Sequence, residues 1–354
     1  MSRLRLCREC GVPKRFTKEH EWLNNGTIVQ RENPDHRMIF IENDNVSSTF
    51  AGIEEIIGMS IERIITEAKR RATYDFVDHM LPDIVKAVVR LVGVRPVIGN
   101  ITSLGKVMGY GSIKLKSIRR VHGKGDYVTL HCREIYSLPL FNGDFAGSFN
   151  AIDRREVGIV YEVVGEDEYE ITGNITPHPL ELQERLQTKQ YTSREGDIEF
   201  ERCPSCGAPL ALSRFRWYPE RGVILDRERG RRMAAMGPAS LDAIIEELEK
   251  ELGETIPEVV VEAERRFVRG GFYSVEEFES EEGFRRELAL RGMGNLKEIA
   301  WREDGARLRM ENPCLDVVLV GMMQGMLELL TGQESKVQWE ITADGDLVVE
   351  ATVV

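Results

Sequence analysis

Cys7-Arg-Glu-Cys10-Gly-Val-Pro13 and Cys203-Pro-Ser-Cys206-Gly-Ala-Pro209 are two copies of one motif, 196 residues apart. A repeat must be settled before any element is assigned, because missing one misreads the whole fold. The copies extend well beyond the cysteines. Gly26-Thr-Ile-Val-Gln-Arg-Glu32 is answered by Gly222-Val-Ile-Leu-Asp-Arg-Glu228, and residues 53–71 align ungapped with 248–266. In that alignment Glu54, Gly58, Ile61, Glu67, Ala68, Arg70 and Arg71 meet identical counterparts. Gly109-Tyr-Gly111 then matches Gly292-Met-Gly294, Cys132 is paired with Cys314, Gly143/Gly147 with Gly321/Gly325, and Tyr161-Glu-Val163 with Trp339-Glu-Ile341. The chain therefore divides into a first repeat over 1–180, a polar linker over 181–202 and a second repeat over 203–354.

Each half reads in the same order. A knuckle is followed directly by a short strand-turn-strand, carrying Trp22 and Gly26 or Trp217 and Gly222. A helix ends near Gly58 or Gly253, since glycine favours the left-handed position after a helix. Ser60 and Thr255 then read as N-caps, with Thr255-x-x-Glu258 as a capping box. A further helix is expected across 76–92, interrupted at Pro82. The segment 315–331, Leu-Asp-Val-Val-Leu-Val-Gly-Met-Met-Gln-Gly-Met-Leu-Glu-Leu-Leu-Thr, confines Asp316, Gln324 and Glu328 to one narrow stripe, as in a core helix. Gly321 and Gly325 on one face would admit a neighbouring backbone closely. Alternating Val337, Trp339 and Ile341, a turn at Asp344-Gly345 and alternating Leu347 to Val353 read as a hairpin. The fold class is α+β: two tandem repeats, each with helices packed on an antiparallel sheet, joined as a pseudo-dimer.

The 354 residues carry 47 Lys and Arg against 59 Asp and Glu, a net charge of −12. That balance speaks against nucleic acid and against an anionic membrane, both of which need a basic face. No apolar run reaches the 18 or so residues of a membrane span, and the N-terminal residues hold no signal-peptide core, so the expected place is the cytoplasm. The acidic run at 246–251 reads as a solvated helix face.

A zinc ion takes four tetrahedral ligands, and a Cys-x-x-Cys turn supplies two thiolates. Each half offers one such turn, so the simplest site is shared: Cys7, Cys10, Cys203 and Cys206 around one structural zinc. Two separate sites using His20, His36 or carboxylates, or a redox pair, are the alternatives. A redox Cys-x-x-Cys normally opens a helix, whereas these motifs precede strand-like segments. Cys132 and Cys314 read either as buried small hydrophobes or as thiols lining a pocket. No histidine recurs between the halves, and no GxSxG, HExxH or P-loop pattern is present.

From Gly292-Met-Gly294 to Val354 the chain resembles the 4-vinyl reductase-like, or hydrocarbon-binding, domain family. The resemblance rests on the Gly-x-Gly turn, the strand ending Glu311-Asn-Pro-Cys314, the Gly-xxx-Gly helix ending Leu330-Thr-Gly332, and the last hairpin. The first half repeats it more loosely from Gly109 to Thr172. It implies a mixed fold enclosing an apolar cavity that holds hydrocarbons, phenols or tetrapyrroles. The terminal hairpin here has no cysteines, unlike zinc-binding members. No ATPase or DNA-binding segment accompanies it, so a direct transcription factor is not expected. Phe141, Phe145, Phe149, Cys132, Cys314, Met322, Met323 and Met326 are then the candidate pocket. The function expected is binding or sensing of a small apolar or aromatic molecule. The alternative is a structural or adaptor subunit with a protein partner or as a homo-oligomer. A reductase ranks last, for want of any nicotinamide, flavin or cluster motif, and no catalytic residue is assigned.

Overall fold

The computed structural model describes residues 4–81, 86, 95–120, 123, 125–176, 189–277, 280–302 and 304–354. It is a mixed α and β structure with three antiparallel sheets among those residues. The central sheet has six strands, three from each half of the sequence. Strands β1 (His20–Trp22), β2 (Ile28–Gln30) and β3 (Arg37–Glu42) form one side, and β8 (Phe215–Tyr218), β9 (Val223–Asp226) and β10 (Arg231–Met236) the other. Their order is β1-β2-β3-β10-β9-β8. The two sides meet where β3 pairs antiparallel with β10, Phe40 opposite Ala235 and Ile41 opposite Ala234. Every residue of β3 is buried, as a strand covered on both faces must be.

The other two sheets share one strand order. One is β4-β5-β7-β6, from β4 (Ser112–Arg119), β5 (Tyr127–Arg133), β6 (Val157–Gly165) and β7 (Glu168–Ile175). The other is β11-β12-β14-β13, from β11 (Asn295–Arg302), β12 (Gly305–Glu311), β13 (Ser335–Ile341) and β14 (Leu347–Val353). In each, a buried helix joins the second strand to the third. These are α5 (Leu138–Asp153) and α9 (Asp316–Thr331).

Glycines set how those helices pack. A Cβ on Gly143 or Gly147 would lie 2.6 Å from Thr66 O or 2.3 Å from Arg70 O, both on α3 (Glu62–Met80). A Cβ on Gly321 would lie 2.5 Å from Val261 O, and one on Gly325 would lie 2.6 Å from Val268 Cβ. Val261 belongs to α7 (Ile256–Phe267), and Val268 follows its last residue. The close approach expected of the Gly-xxx-Gly pair is therefore made in both halves.

Packing crosses the linker in both directions. Helix α2 (Asn43–Ile57) lies on α7, while α6 (Ala239–Leu252) lies on α3. Each hairpin of the central sheet also docks on the opposite half. Trp22 Nε1 donates to Leu290 O at 2.9 Å, and Trp217 Nε1 donates to Val107 O at 3.0 Å. Gly294 N donates to Gly26 O at 3.1 Å, and Gly111 N to Gly222 O at 2.9 Å. Added Cβ atoms on Gly26 and Gly222 would sit 2.2 and 2.1 Å from the facing carbonyl oxygens, so only glycine fits there. One continuous apolar core accordingly contains Ile53 and Phe145 from before the linker and Ile244, Val260 and Cys314 from after it.

Several local expectations need correction. A helical turn, not a strand, follows each knuckle: α1 (Lys14–Glu19) in one case and a 3-10 turn over Leu210–Arg214 in the other. Gly58 and Gly253 do end their helices with positive φ. The capping box does not form, because Thr255 makes no side-chain cap. In the first half Ile61 precedes the helix instead, and Glu54 Oε1 accepts its N–H at 2.8 Å. Glu247, placed on a solvated face by the charge run, is buried. The helix expected across 76–92 is seen as far as Met80, and beyond Leu81 it falls outside the described residues apart from Lys86.

Strand register also moves the lone cysteines. Ile113 pairs with Cys132, whereas Leu296 pairs with Met310. Cys132 therefore takes the place of Met310, and Cys314 the place of Tyr136, so the two cysteines are not counterparts. Matching them by identity ignored the count of residues between strand and helix.

The linker is described from Lys189 onward, and there it is an ordered strap. Tyr191 donates to the Asp242 carboxylate, and Lys189 Nζ lies 3.2 Å from Asp316 Oδ2. Arg194 N donates to Asn312 Oδ1 at 2.7 Å, and Ile198 N to Asn24 O at 2.7 Å.

Candidate metal centre

Both knuckles fold by the same backbone rule. Cys7 N donates to Val12 O and Cys203 N to Ala208 O, each at 2.8 Å. Gly11 N returns to Cys7 O and Gly207 N to Cys203 O. The tight turn needs positive φ at the residue after the second cysteine, and Gly11 and Gly207 have φ of 76° and 75°. Short bridges, Leu6 to Pro13 and Arg202 to Pro209, close each loop.

The pairing of β3 with β10 brings the two knuckles face to face. Cys7 Sγ lies 3.8 Å from Cys203 Sγ, and Cys10 Sγ lies 3.4 Å from Cys206 Sγ. All four sulfurs fall within 4.8 Å of one another. Four thiolates bound tetrahedrally at about 2.3 Å have S···S edges of about 3.8 Å. The donor set and its spacing therefore fit a single metal ion, with two ligands from each half of the sequence.

Three of the four cysteines are buried, and Cys206 is partly open to solvent. Burial opposes ionisation of Cys7, but the amides of Cys10 and Glu9 with the neighbouring thiols outweigh it and draw the group down to about 7. Burial pushes Cys10 and Cys206 up. Four thiolates crowded this closely and largely buried would need a cation at their centre, and a coordinating thiol is deprotonated outright. Glu9 reaches across the joint, with Cys203 Sγ 3.3 Å from its Oε2.

The alternative histidine ligands are not brought here. His20 is buried, with Nδ1 3.1 Å from Phe16 O and its ring stacked on Phe16. Burial lowers both His20 and His36 to about 4, so each is neutral at ordinary pH.

The candidate pocket residues are all buried, and they are divided between two cores. Phe141, Phe145, Phe149, Cys132 and Cys314 belong to the core shared by both halves, while Met322, Met323 and Met326 belong to the core of the second half. Phe145 and Phe149 rest on Gly173, where an added Cβ would be 3.2 and 3.0 Å from their rings. Burial raises the Cys132 and Cys314 thiols to about 12, which leaves them inert. A cleft of about 430 Å³ lies elsewhere, beside the second knuckle, on Phe200, Pro209, Leu210 and Leu290. Sequence reading did not find it, because it joins residues before and after the knuckle to α8 (Glu281–Leu290).

No helix among the described residues is long and apolar enough to cross a membrane. No protein-family model, curated protein or solved structure matches the chain.

Proposed function

We propose that the chain is a binding protein built as a pseudo-dimer of two 4-vinyl reductase-like halves, stapled by one structural zinc ion on Cys7, Cys10, Cys203 and Cys206. The observation that carries the staple is the supply of ligands, two thiols from each half converging within 4.8 Å. A closed set of four thiolates leaves no open coordination position, so the metal holds structure and does no chemistry. The shared strand order of the two outer sheets and the reciprocal Trp22 and Trp217 contacts support the duplicated unit.

The bound molecule is small and apolar, and its place is the core of the second half. That core gathers Met293, Met310, Met322, Met323 and Met326. Unbranched methionine repacks readily and lets a filled core open around a guest. The aromatic set of the first half, seated on Gly173, lacks that give. The experiment is native mass spectrometry of protein purified without added metal, followed by denaturing extraction. One zinc and one apolar compound per chain are expected, and Met323→Asp should abolish the compound while keeping the zinc. Zinc without any extracted compound, and no rise in Tm with a panel of aromatic hydrocarbons, would overturn the ligand reading. It would favour an adaptor role, which the exposed Val160, Val163 and Val164 of β6 also support.

A further inference from the structure

The shared cysteine cluster sets the two knuckles side by side, and matching exposed positions on them differ in charge. On the first knuckle Arg5, Arg8, Lys14 and Lys18 are exposed. Lys14 N donates to Arg5 O at 2.8 Å, Arg8 sits inside the Cys7–Cys10 turn, and Lys18 lies one helical turn beyond Lys14. None of the four has an ion-pair partner among the described residues. Three of the corresponding positions of the second knuckle reverse or remove that charge, with Glu201 for Arg5, Pro204 for Arg8 and Leu210 for Lys14, while the counterpart of Lys18 is Arg214, already paired with Glu287.

The second knuckle also bears the cleft of about 430 Å³. Its floor is apolar, with Phe200, Leu210 and Leu290, and its rim carries Glu199 and Glu201. Both rim carboxylates are exposed and unpaired among the described residues. The cations of the cleft are already engaged within the chain. Arg214 Nη2 lies 2.6 Å from Glu287, and Arg286 Nε lies 2.7 Å from Glu282. What the cleft still offers is an apolar floor beneath two free carboxylates.

We propose that a second copy of this chain docks across the joined knuckles, the basic first knuckle of each entering the acidic cleft beside the second knuckle of the other. Because the two knuckles adjoin in one chain, a single two-fold axis beside them satisfies both contacts at once. Such an isologous interface closes on itself and stops at a dimer. Complementary charge sets register and speeds encounter, and exposed charges feel salt strongly. A polyanion is the rival partner for four free cations. The net charge of −12 works against it, and the acidic cleft alongside gives a polyanion nothing to bind.

The test is sedimentation equilibrium of the full metal-loaded chain at 50 and 500 mM salt. A dimer is expected at low salt, weakening about tenfold at high salt. Arg8→Glu with Lys14→Glu should give a monomer, as should Glu199→Lys with Glu201→Lys. All four changes in one chain should restore the dimer, a rescue that a folding defect would not produce. All four side chains are exposed, so metal content and circular dichroism should stay unchanged. A monomer at 50 mM salt overturns the proposal, and it does so equally if that monomer binds heparin through Arg8 and Lys14. A dimer indifferent to salt and to both reversals overturns it as well.

Discussion

Where α2 crosses α7, Glu264 is fully buried and accepts hydrogen bonds from Asn45 Nδ2 and Thr49 Oγ1, both at 2.6 Å. Where α6 crosses α3, the matching position is Lys69, with Nζ 3.4 Å from Ser240 Oγ and 3.5 Å from Asp144 Oδ1. Both pairs of helices pack across the linker, and the ionisable side chains buried at the two matching positions are of opposite type. At the first crossing the fit is close, an added Cβ on Gly52 meeting Ala263 Cβ at 3.0 Å, whereas the matching position in the second is the buried Glu247. The polar groups inserted between the helices are free to differ, provided each finds partners. The two crossings thus differ in the polar groups they bury.

The largest effect separates the knuckle cysteines from the lone ones. Serine at Cys7 or Cys203 should lower the unfolding free energy by about 5 kcal/mol, because a metal ion held by these four ligands would couple its binding to folding. Serine at the equally buried Cys132 should cost about 1–2 kcal/mol, and denaturant unfolding of the variants tests the contrast. Equal losses at the two kinds of site would remove the staple from the account. Next come the helix contacts. Gly143→Leu and Gly321→Leu each drive a side chain into a backbone carbonyl, and each should cost about 3 kcal/mol. A large difference between them would break the likeness of the two halves.

Glu264 sharpens the contrast through pH. Burial raises its carboxyl to about 7, while Asn45 and Thr49 oppose the shift. An unfolded glutamate titrates near 4.3, so the folded state holds the proton more tightly. The stability this contributes is fully present below about pH 4 and is lost as pH rises through 7. About 3 kcal/mol should disappear between pH 4 and pH 8 from this group alone. Glu264→Gln should flatten that decline, as read from urea unfolding at the two pH values. An unchanged slope would place the titration elsewhere. The smallest effect concerns the docked hairpins. Trp22→Phe and Trp217→Phe each remove one buried N–H···O bond and should cost about 1 kcal/mol apiece. Unequal costs would show that the two dockings differ in strength.

The two knuckles, the hairpins after them, the glycine-bearing helices and the terminal hairpin were all legible in the sequence. Each rests on a short-range rule: a thiolate turn closed by glycine, alternation, a narrow polar stripe. The crossing of α2 and α6 between halves was not legible, because nothing local in Asn43–Ile57 says which partner helix it meets. The pairing of Cys132 with Cys314 failed for a related reason. Residue identity is a weaker guide than strand register, and register placed Met310 opposite Leu296. Of the candidate pocket residues, Phe145 and Met323 lie in different cores. Helical spacing says that a side chain is buried and says nothing about which core receives it.

The central claim is one metal ion shared by the two halves of one chain. Metal analysis with X-ray absorption at the zinc edge tests it most directly. One zinc per chain with four sulfur neighbours at about 2.3 Å is the predicted result. Two metal ions per chain with mixed sulfur and nitrogen ligands, or four freely titrating knuckle thiols, would contradict it.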